Sequence, residues 1–94
     1  MGKPFYKEQE SEQLELEVVD LEEHELIVFN DDVNTFDHVI QTLIEVCQHT
    51  PEQAEQCTLI IHYKGKCTVK IGDFSELKPM RDAICDRGIW AEVF

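Results

Sequence analysis

The most constraining feature of this sequence is a polar triplet, Asn30-Asp31-Asp32, between an apolar run and a strongly periodic segment. The run at residues 26–29 is typical of a buried strand, and it stops at three side chains that cannot lie unpaired in a core. Apolar residues then recur at helical spacing: Phe36, Val39, Ile40, Leu43, Ile44 and Cys47. Two carboxylates and an amide are therefore held at a strand-to-helix corner, which suits a small cationic group.

The formal net charge of −12 on the 94-residue chain is unevenly placed. Residues 1–24 carry eight acidic and two basic side chains, whereas residues 25–94 carry twelve and six together with most of the large apolar ones. We therefore expect an acidic, flexible N-terminal arm over residues 1–24 and one folded domain over residues 25–94. So negative a charge repels nucleic acid and anionic membrane surfaces, so neither is expected as a partner.

Within the arm, residues 14–21 alternate apolar and acidic positions. This pattern is compatible with an edge strand, a segment that orders on binding or a solvated arm, and we interpret it as a mobile arm. No apolar stretch approaches the roughly 20 residues that span a bilayer, and the N-terminus lacks the apolar region of a secretory signal. We therefore expect a cytoplasmic protein.

The four cysteines include no C-x-x-C pair, and each falls within an otherwise apolar pattern. This favours buried, reduced thiols over disulfides or zinc. Asp31, Asp32, His38 and His62 could suggest a metal, but the calcium-loop pattern fails because Asp37 stands where it requires glycine. We expect no cofactor. Catalysis by Cys47 or Cys57 is also not expected, since neither has a base with an orienting partner.

Local signals predict the first three elements. Residues 25–29 form an apolar strand that we expect to be buried on both faces. Asn34 is the predicted N-cap of the first helix, with Asp37 as its acidic N3 partner. Residues 50–53, Thr-Pro-Glu-Gln, start a second helix with a capping box and a proline at N1, and Gly65 ends it.

The remaining elements complete the order β-α-α-β-α-β. Residues 67–71 alternate as a half-exposed strand, and a third helix runs to Arg87-Gly88. Pro79 should limit where that helix begins, because proline is tolerated only in the first turn. Residues 89–94 form the last strand. This order predicts an α+β fold in which a small, mostly antiparallel three-stranded sheet packs against three helices.

The motifs and their order resemble the ClpS family, adaptors that bring substrates with destabilising N-terminal residues to a Clp AAA+ unfoldase and its protease. The resemblance covers about residues 25–94. It depends on Asn30-Asp31-Asp32 after an apolar strand, on His62-Tyr63-Lys64-Gly65 at the end of the second helix, and on the polar arm ahead of the domain. It implies a fold like that of the C-terminal domain of the ribosomal stalk protein.

The resemblance also implies roles for individual residues. The positions that hold the substrate's α-amino group are matched by Asn30, Asp31 and His62. The pocket for the first side chain is matched by Asp32, Asn34, Phe36, Val39, Thr58 and Ile61. The surface that docks on the unfoldase, of ClpA or ClpC type, is matched by Glu76 and Lys78 beside an uncharacteristic Pro79.

Three departures from the family pattern affect the pocket. The family commonly has Thr-Pro-Met at residues 34–36, an aromatic residue at Val33 and a methionine at Thr58. Because Phe36 and Thr58 replace flexible methionines, the pocket should be reshaped. The preference among Leu, Phe, Tyr and Trp as first residue is therefore left open.

The residues at the corner suit capture of an amine. An α-amino group has a pKa of about 8, so at neutral pH it is mostly a cation with several hydrogen-bond donors. Asp31 supplies negative charge, while the Asn30 oxygen and a neutral His62 can accept hydrogen bonds. Together with the resemblance to the ClpS family, these residues lead us to predict a monomeric, non-enzymatic adaptor that binds N-degrons and delivers them to a Clp unfoldase. The first alternative is a docking module of the ribosomal-stalk type in which the corner has no ligand, and the second is a small thiol- or metal-dependent enzyme.

Overall fold

A computed structural model describes residues 23–94, and its six elements follow the predicted order β-α-α-β-α-β. The strands are β1 (His24–Phe29), β2 (Lys66–Gly72) and β3 (Ala91–Val93), and the helices are α1 (Phe36–Cys47), α2 (Pro51–Lys64) and α3 (Phe74–Asp86). The strands form one antiparallel sheet in the order β2-β1-β3. The α+β prediction is thus confirmed, while the predicted arm lies outside the described residues except for its last two.

The sheet buries one face only. In the central strand β1, Leu26 and Val28 are fully buried, whereas Ile27 and Phe29 on the opposite face are only partly covered. On that second face the Phe29 ring stacks on Trp90 at 4.4 Å between centroids, and Trp90 still keeps 54% of its surface exposed. The expectation that this strand is buried on both faces was therefore wrong.

Each helix and strand contributes to one apolar core beneath the sheet. Its fully or nearly fully buried members are Leu26, Val28, Leu43, Cys47, Ala54, Ile61, Val69, Leu77, Ile84, Ile89 and Ala91. The leucine, isoleucine and valine side chains among them contribute roughly 1.5–3 kcal/mol each on burial, and the smaller side chains contribute less. This core fixes the ends of β1 and α2 relative to each other.

The N-cap of α1 is Thr35, not Asn34 as predicted. The Thr35 hydroxyl accepts from the backbone N–H of His38 at 3.1 Å, and its extended backbone fits the N-cap position. The Asn34 amide instead donates to the carboxylate of Asp31 at 2.8 Å. Because that acceptor is charged, it competes successfully for the Asn34 side chain.

The boundaries of α2 agree with the sequence prediction. Thr50 and Gln53 form the reciprocal capping box, and Pro51 stands at the first helical position. Gly65 ends the helix in the left-handed region, with φ of 95°. Its carbonyl accepts from the backbone N–H of Asn30 at 2.9 Å, which ties the end of α2 to the polar corner.

The start of α3 differs from the prediction, because Pro79 lies inside the helix. Asp73 caps the helix by accepting from the backbone N–H of Glu76 at 2.9 Å, so α3 begins at Phe74 and Pro79 is its sixth residue. Leu77 and Ile84, which are fully buried, lie on either side of the proline. We infer that their burial, together with the cap, compensates for the hydrogen bond that Pro79 cannot donate to Ser75.

Replacing Pro79 by alanine should therefore stabilise the fold. Alanine restores the missing N–H and relieves the clash with the preceding turn, so we expect the free energy of unfolding to rise by about 1–2 kcal/mol. Urea denaturation followed by circular dichroism measures this change. Pro51→Ala is the matched control, since Pro51 is also exposed but needs no donor at N1. An equal effect of both variants would contradict the interpretation.

Candidate functional site

Backbone hydrogen bonds hold the polar corner in place at the end of β1. The N–H of Phe29 donates to the Trp90 carbonyl at 2.9 Å, and the N–H of Asn30 donates to the Gly65 carbonyl at 2.9 Å. The corner is thus bonded to the segments on both sides of β1. It lies beside the last turn of α2, which carries His62.

A cavity of about 240 Å³ opens at this corner, and its lining includes every residue predicted for the α-amino site and the side-chain pocket. These are Asn30, Asp31, Asp32, Asn34, Phe36, Val39, Thr58, Ile61 and His62. These nine residues, which are spread over positions 30 to 62 of the sequence, thus lie on one concave surface that combines polar and apolar groups.

Three further residues line the cavity that sequence reasoning did not select: Val28, Phe29 and Ile89. Val28 and Phe29 directly precede the triplet, and this adjacency could have indicated them. Ile89 had no such signal. It is 97% buried, and it reaches the cavity because the turn after α3 returns the chain to the corner.

The carboxylate of Asp31 is engaged in a tight local turn. One oxygen accepts from the backbone N–H groups of Val33 at 2.8 Å and Asn34 at 2.9 Å, and the other accepts from the Asn34 amide at 2.8 Å. Partial burial acts to raise the pKa of Asp31, but these hydrogen bonds outweigh it and leave the pKa below its ordinary value. Asp31 therefore carries its full negative charge at neutral pH.

Asp32 differs from its neighbour. Its side chain is exposed, and among residues 23–94 it accepts no hydrogen bond from another side chain or from the backbone. The two adjacent carboxylates thus provide one fixed negative charge and one solvated negative charge at the same corner.

His62 and Phe36 stand at the exposed side of the cavity. Their rings meet edge to face, with 5.1 Å between centroids and 69° between planes, and Phe36 remains 42% exposed. In the described part of the chain neither ring nitrogen of His62 has a hydrogen-bond partner. The imidazole can therefore exchange a hydrogen bond with a ligand or a water.

The interior wall of the cavity is apolar although it contains a threonine. The Thr58 hydroxyl donates to the Ala54 carbonyl at 2.7 Å, so its hydrogen is already committed to the helix. Ile61 is nearly fully buried beside it, and Val39 packs against the core from α1. A bulky apolar side chain would meet a compatible surface here.

Sequence comparison identifies the family of this chain. A family model described as "ATP-dependent Clp protease adaptor protein ClpS" matches residues 20–91, well over half of the sequence. The chain belongs to the ClpS family.

Individual relatives agree with this assignment. The chain is similar to a ClpS adapter protein of Nitratidesulfovibrio vulgaris, at 36% identity over 55 residues, and to one of Thermosynechococcus vestitus, at 30% over 67 residues. The matches cover 56% and 70% of this chain, and they span 55% and 71% of those relatives. The first match thus reaches only about half the length of its relative.

The fold is also that of a solved ClpS protein. Agrobacterium tumefaciens ClpS2, described as bound to L-phenylalaninamide, superposes with a TM-score of 0.66. The superposition covers 77% of this chain and 94% of that structure, at 15% identity. At so low an identity the likeness concerns the ClpS fold alone.

The four thiols of this ClpS-family chain lie away from the cavity lining. All are free, with Cys47 fully buried and Cys57, Cys67 and Cys85 half-buried. Burial raises the pKa of Cys47 to about 11 and that of Cys67 to about 12, so both stay protonated and weakly nucleophilic at neutral pH. Among residues 23–94 no cluster of three potential ligands could hold a metal ion.

The predicted docking residues Glu76 and Lys78 lie on α3 and do not line the cavity. Both side chains are exposed, and Lys78 donates to Asp82 one turn later at 2.7 Å.

His38 was interpreted as solvent-facing, but its ring is half-buried and bonded to the Arg87 carbonyl at 2.8 Å. Across residues 23–94, no helix is both long and apolar enough to cross a membrane.

Proposed function

We propose that this ClpS-family protein binds substrates through a free, bulky hydrophobic N-terminal residue and delivers them to a Clp AAA+ unfoldase for degradation. The observation that carries the proposal is a single cavity in which a fixed carboxylate, an imidazole and an apolar wall lie together. An N-terminal residue presents the complementary groups, a cationic amine and an adjacent side chain.

Recognition of the amine follows from the polar side of the cavity. Asp31 supplies the negative charge. One oxygen of its carboxylate already accepts two backbone hydrogen bonds, whereas the other accepts only from the Asn34 amide and keeps a lone pair for the ligand. The side chains of Asn30 and His62 can accept the remaining ammonium donors, directly or through water. Asp32 adds charge at longer range. A blocked or internal residue offers no cation to this set of acceptors.

Recognition of the side chain follows from the apolar wall. Burial of a Leu- or Phe-sized group against Val39, Thr58 and Ile61 contributes roughly 1.5–3 kcal/mol. Because ordering of the peptide opposes binding, we expect micromolar affinity, which allows release of the cargo. The ligand of the Agrobacterium relative, L-phenylalaninamide, combines a free α-amino group with a benzyl side chain, and this cavity offers surfaces for both.

The ClpS family consists of adaptors. An adaptor needs, besides the cavity for its substrate, a second surface that binds the unfoldase. We propose that Glu76 and Lys78 on α3 form part of it and that the partner is the N-domain of a ClpA- or ClpC-type unfoldase. In this proposal the protein acts as a cytoplasmic monomer, and neither a catalytic group nor a cofactor takes part.

A peptide titration tests the proposed function. Peptides of one sequence that begin with Phe, Leu or Ser are titrated into the protein by calorimetry. We expect the Phe and Leu peptides to bind at least tenfold more tightly than the Ser peptide, because serine leaves the apolar wall uncovered. Equal affinity for all three peptides would exclude a side-chain pocket and favour a simple docking module.

A further inference from the structure

The side chain of Asn34 forms a hydrogen-bonded bridge between two parts of the chain, which its expected role as a pocket-lining residue does not explain. Its side-chain nitrogen donates to Asp31 at 2.8 Å and to the carbonyl of Gly88 at 2.9 Å. Both hydrogens of the amide are thereby used. The bridge joins the corner after β1 to the turn after α3, which are 54 residues apart in sequence.

The orientation of this amide is fixed by its partners. A carboxylate and a carbonyl are both acceptors, so a flipped amide would place oxygen against oxygen at each contact. Only a side chain with two donors on one atom can satisfy both. A threonine at this position would carry one hydroxyl hydrogen and could donate to one acceptor at a time.

The far end of the bridge is itself well anchored. Gly88 adopts a left-handed backbone, with φ of 83°, and its N–H donates to the Cys85 carbonyl at 2.9 Å, which closes α3. One residue earlier, the backbone carbonyl of Arg87 is hydrogen-bonded to the His38 ring at 2.8 Å, and the guanidinium of Arg87 donates to Glu45 at 2.7 Å. The turn after α3 is therefore held to α1 independently of Asn34.

We propose that Asn34 is a positioning residue. Its side-chain amide is anchored on the Gly88 carbonyl and holds the Asp31 carboxylate in the orientation that the substrate's α-amino group requires. The inference deepens the proposed function and depends on it. The backbone N–H groups of Val33 and Asn34 hold only one oxygen of Asp31, and the Asn34 amide holds the other. Without the amide the second oxygen would be free to rotate away from the cavity.

Substitutions at residue 34 test this role. Asn34→Ala removes both donors, and we expect it to weaken binding of the free Phe-initiated peptide about five- to tenfold. Asn34→Thr keeps one donor and should recover part of that loss. The Asp31 carboxyl, followed by carbon NMR across a pH titration, should show a higher pKa in Asn34→Ala, because a hydrogen bond that lowers it is lost.

His38→Ala is the matched control, because it removes the neighbouring bond to the same turn without removing a hydrogen bond to Asp31. We expect it to change the peptide affinity by no more than about twofold. It should also raise the pKa of Asp31 less than Asn34→Ala does, because it removes only the weakest of the effects that lower that pKa, the charge of His38. If His38→Ala reproduced the loss, Asn34 would act only by holding the turn, and the proposal would be overturned. Unchanged affinity in Asn34→Ala would overturn it as well. Failure of the wild-type protein to prefer the Phe peptide would instead reject the proposed function.

Discussion

Acetylation of the α-amino group of a Phe-initiated peptide should lower its affinity for this protein by about thirty- to a hundredfold. Acetylation removes the positive charge and two of the donors, and it leaves the ionised Asp31 without a cationic partner inside the complex. Truncating one member of a hydrogen-bonded charge pair costs about 2–5 kcal/mol in an interface. The lower part of that range applies here, because the Asp31 side chain is only partly buried.

A peptide acetylated on an internal lysine is the appropriate control, since it loses one positive charge but keeps the free N-terminus. Its affinity should change by no more than about twofold, because an exposed charge outside the cavity is screened by salt. Fluorescence anisotropy with C-terminally labelled peptides measures all three ligands under identical conditions. Equal loss for the two acetylated peptides would indicate general attraction to a protein of net charge −12 rather than amine capture.

Local signals predicted the parts of the fold whose causes are local. The start of α2 depends on Thr50 and Gln53, which bond to each other three residues apart, and its end depends on the left-handed Gly65. In the same way, the alternation at residues 67–71 predicted β2, whose residues Cys67 and Val69 face the core. Each of these elements is specified within a few residues of sequence.

Two of the incorrect predictions, the N-cap at Asn34 and the start of α3, were wrong because contacts in the folded chain outweigh the preference of the residue type. Asn34 is a good N-cap residue by type, but Asp31 and the Gly88 carbonyl take its amide, so Thr35 caps α1. Pro79 is unfavourable inside a helix by type, but buried Leu77 and Ile84 lie on either side of it. Local preferences for these residues were correct, and tertiary contacts outweighed them.

In the candidate site, too, some residues could be predicted from local sequence signals and others could not. Its polar and apolar residues could be selected from the triplet, from helical spacing and from a resemblance, and the cavity brings these nine residues together. The sequence did not indicate Ile89, which enters through the turn after α3. The sequence interpretation also did not assign the three hydrogen bonds that occupy the Asp31 carboxylate, although all three come from residues only two or three positions away.

Asp31→Asn should weaken binding of a free Phe-initiated peptide tenfold or more, whereas Asp32→Asn should weaken it by about twofold at most. Both substitutions remove one negative charge from adjacent positions, so any effect of net charge on the approach of a cation is the same. Asp31 differs because its carboxylate is fixed by Val33 and Asn34, while Asp32 is exposed. A fixed charge interacts more strongly with a bound ammonium than a solvated one.

Asp31→Asn changes the orientation of the side chain as well as its charge. Its side-chain oxygen can still accept from the backbone of Val33 and Asn34, so the turn can form. Its side-chain nitrogen, however, would face the donating amide of Asn34, and two donors repel. Thermal unfolding of both variants establishes that each is folded at the temperature of the titration. Equal losses in Asp31→Asn and Asp32→Asn would mean that the ammonium is held by diffuse negative charge at the corner, and a specific carboxylate site would then be excluded.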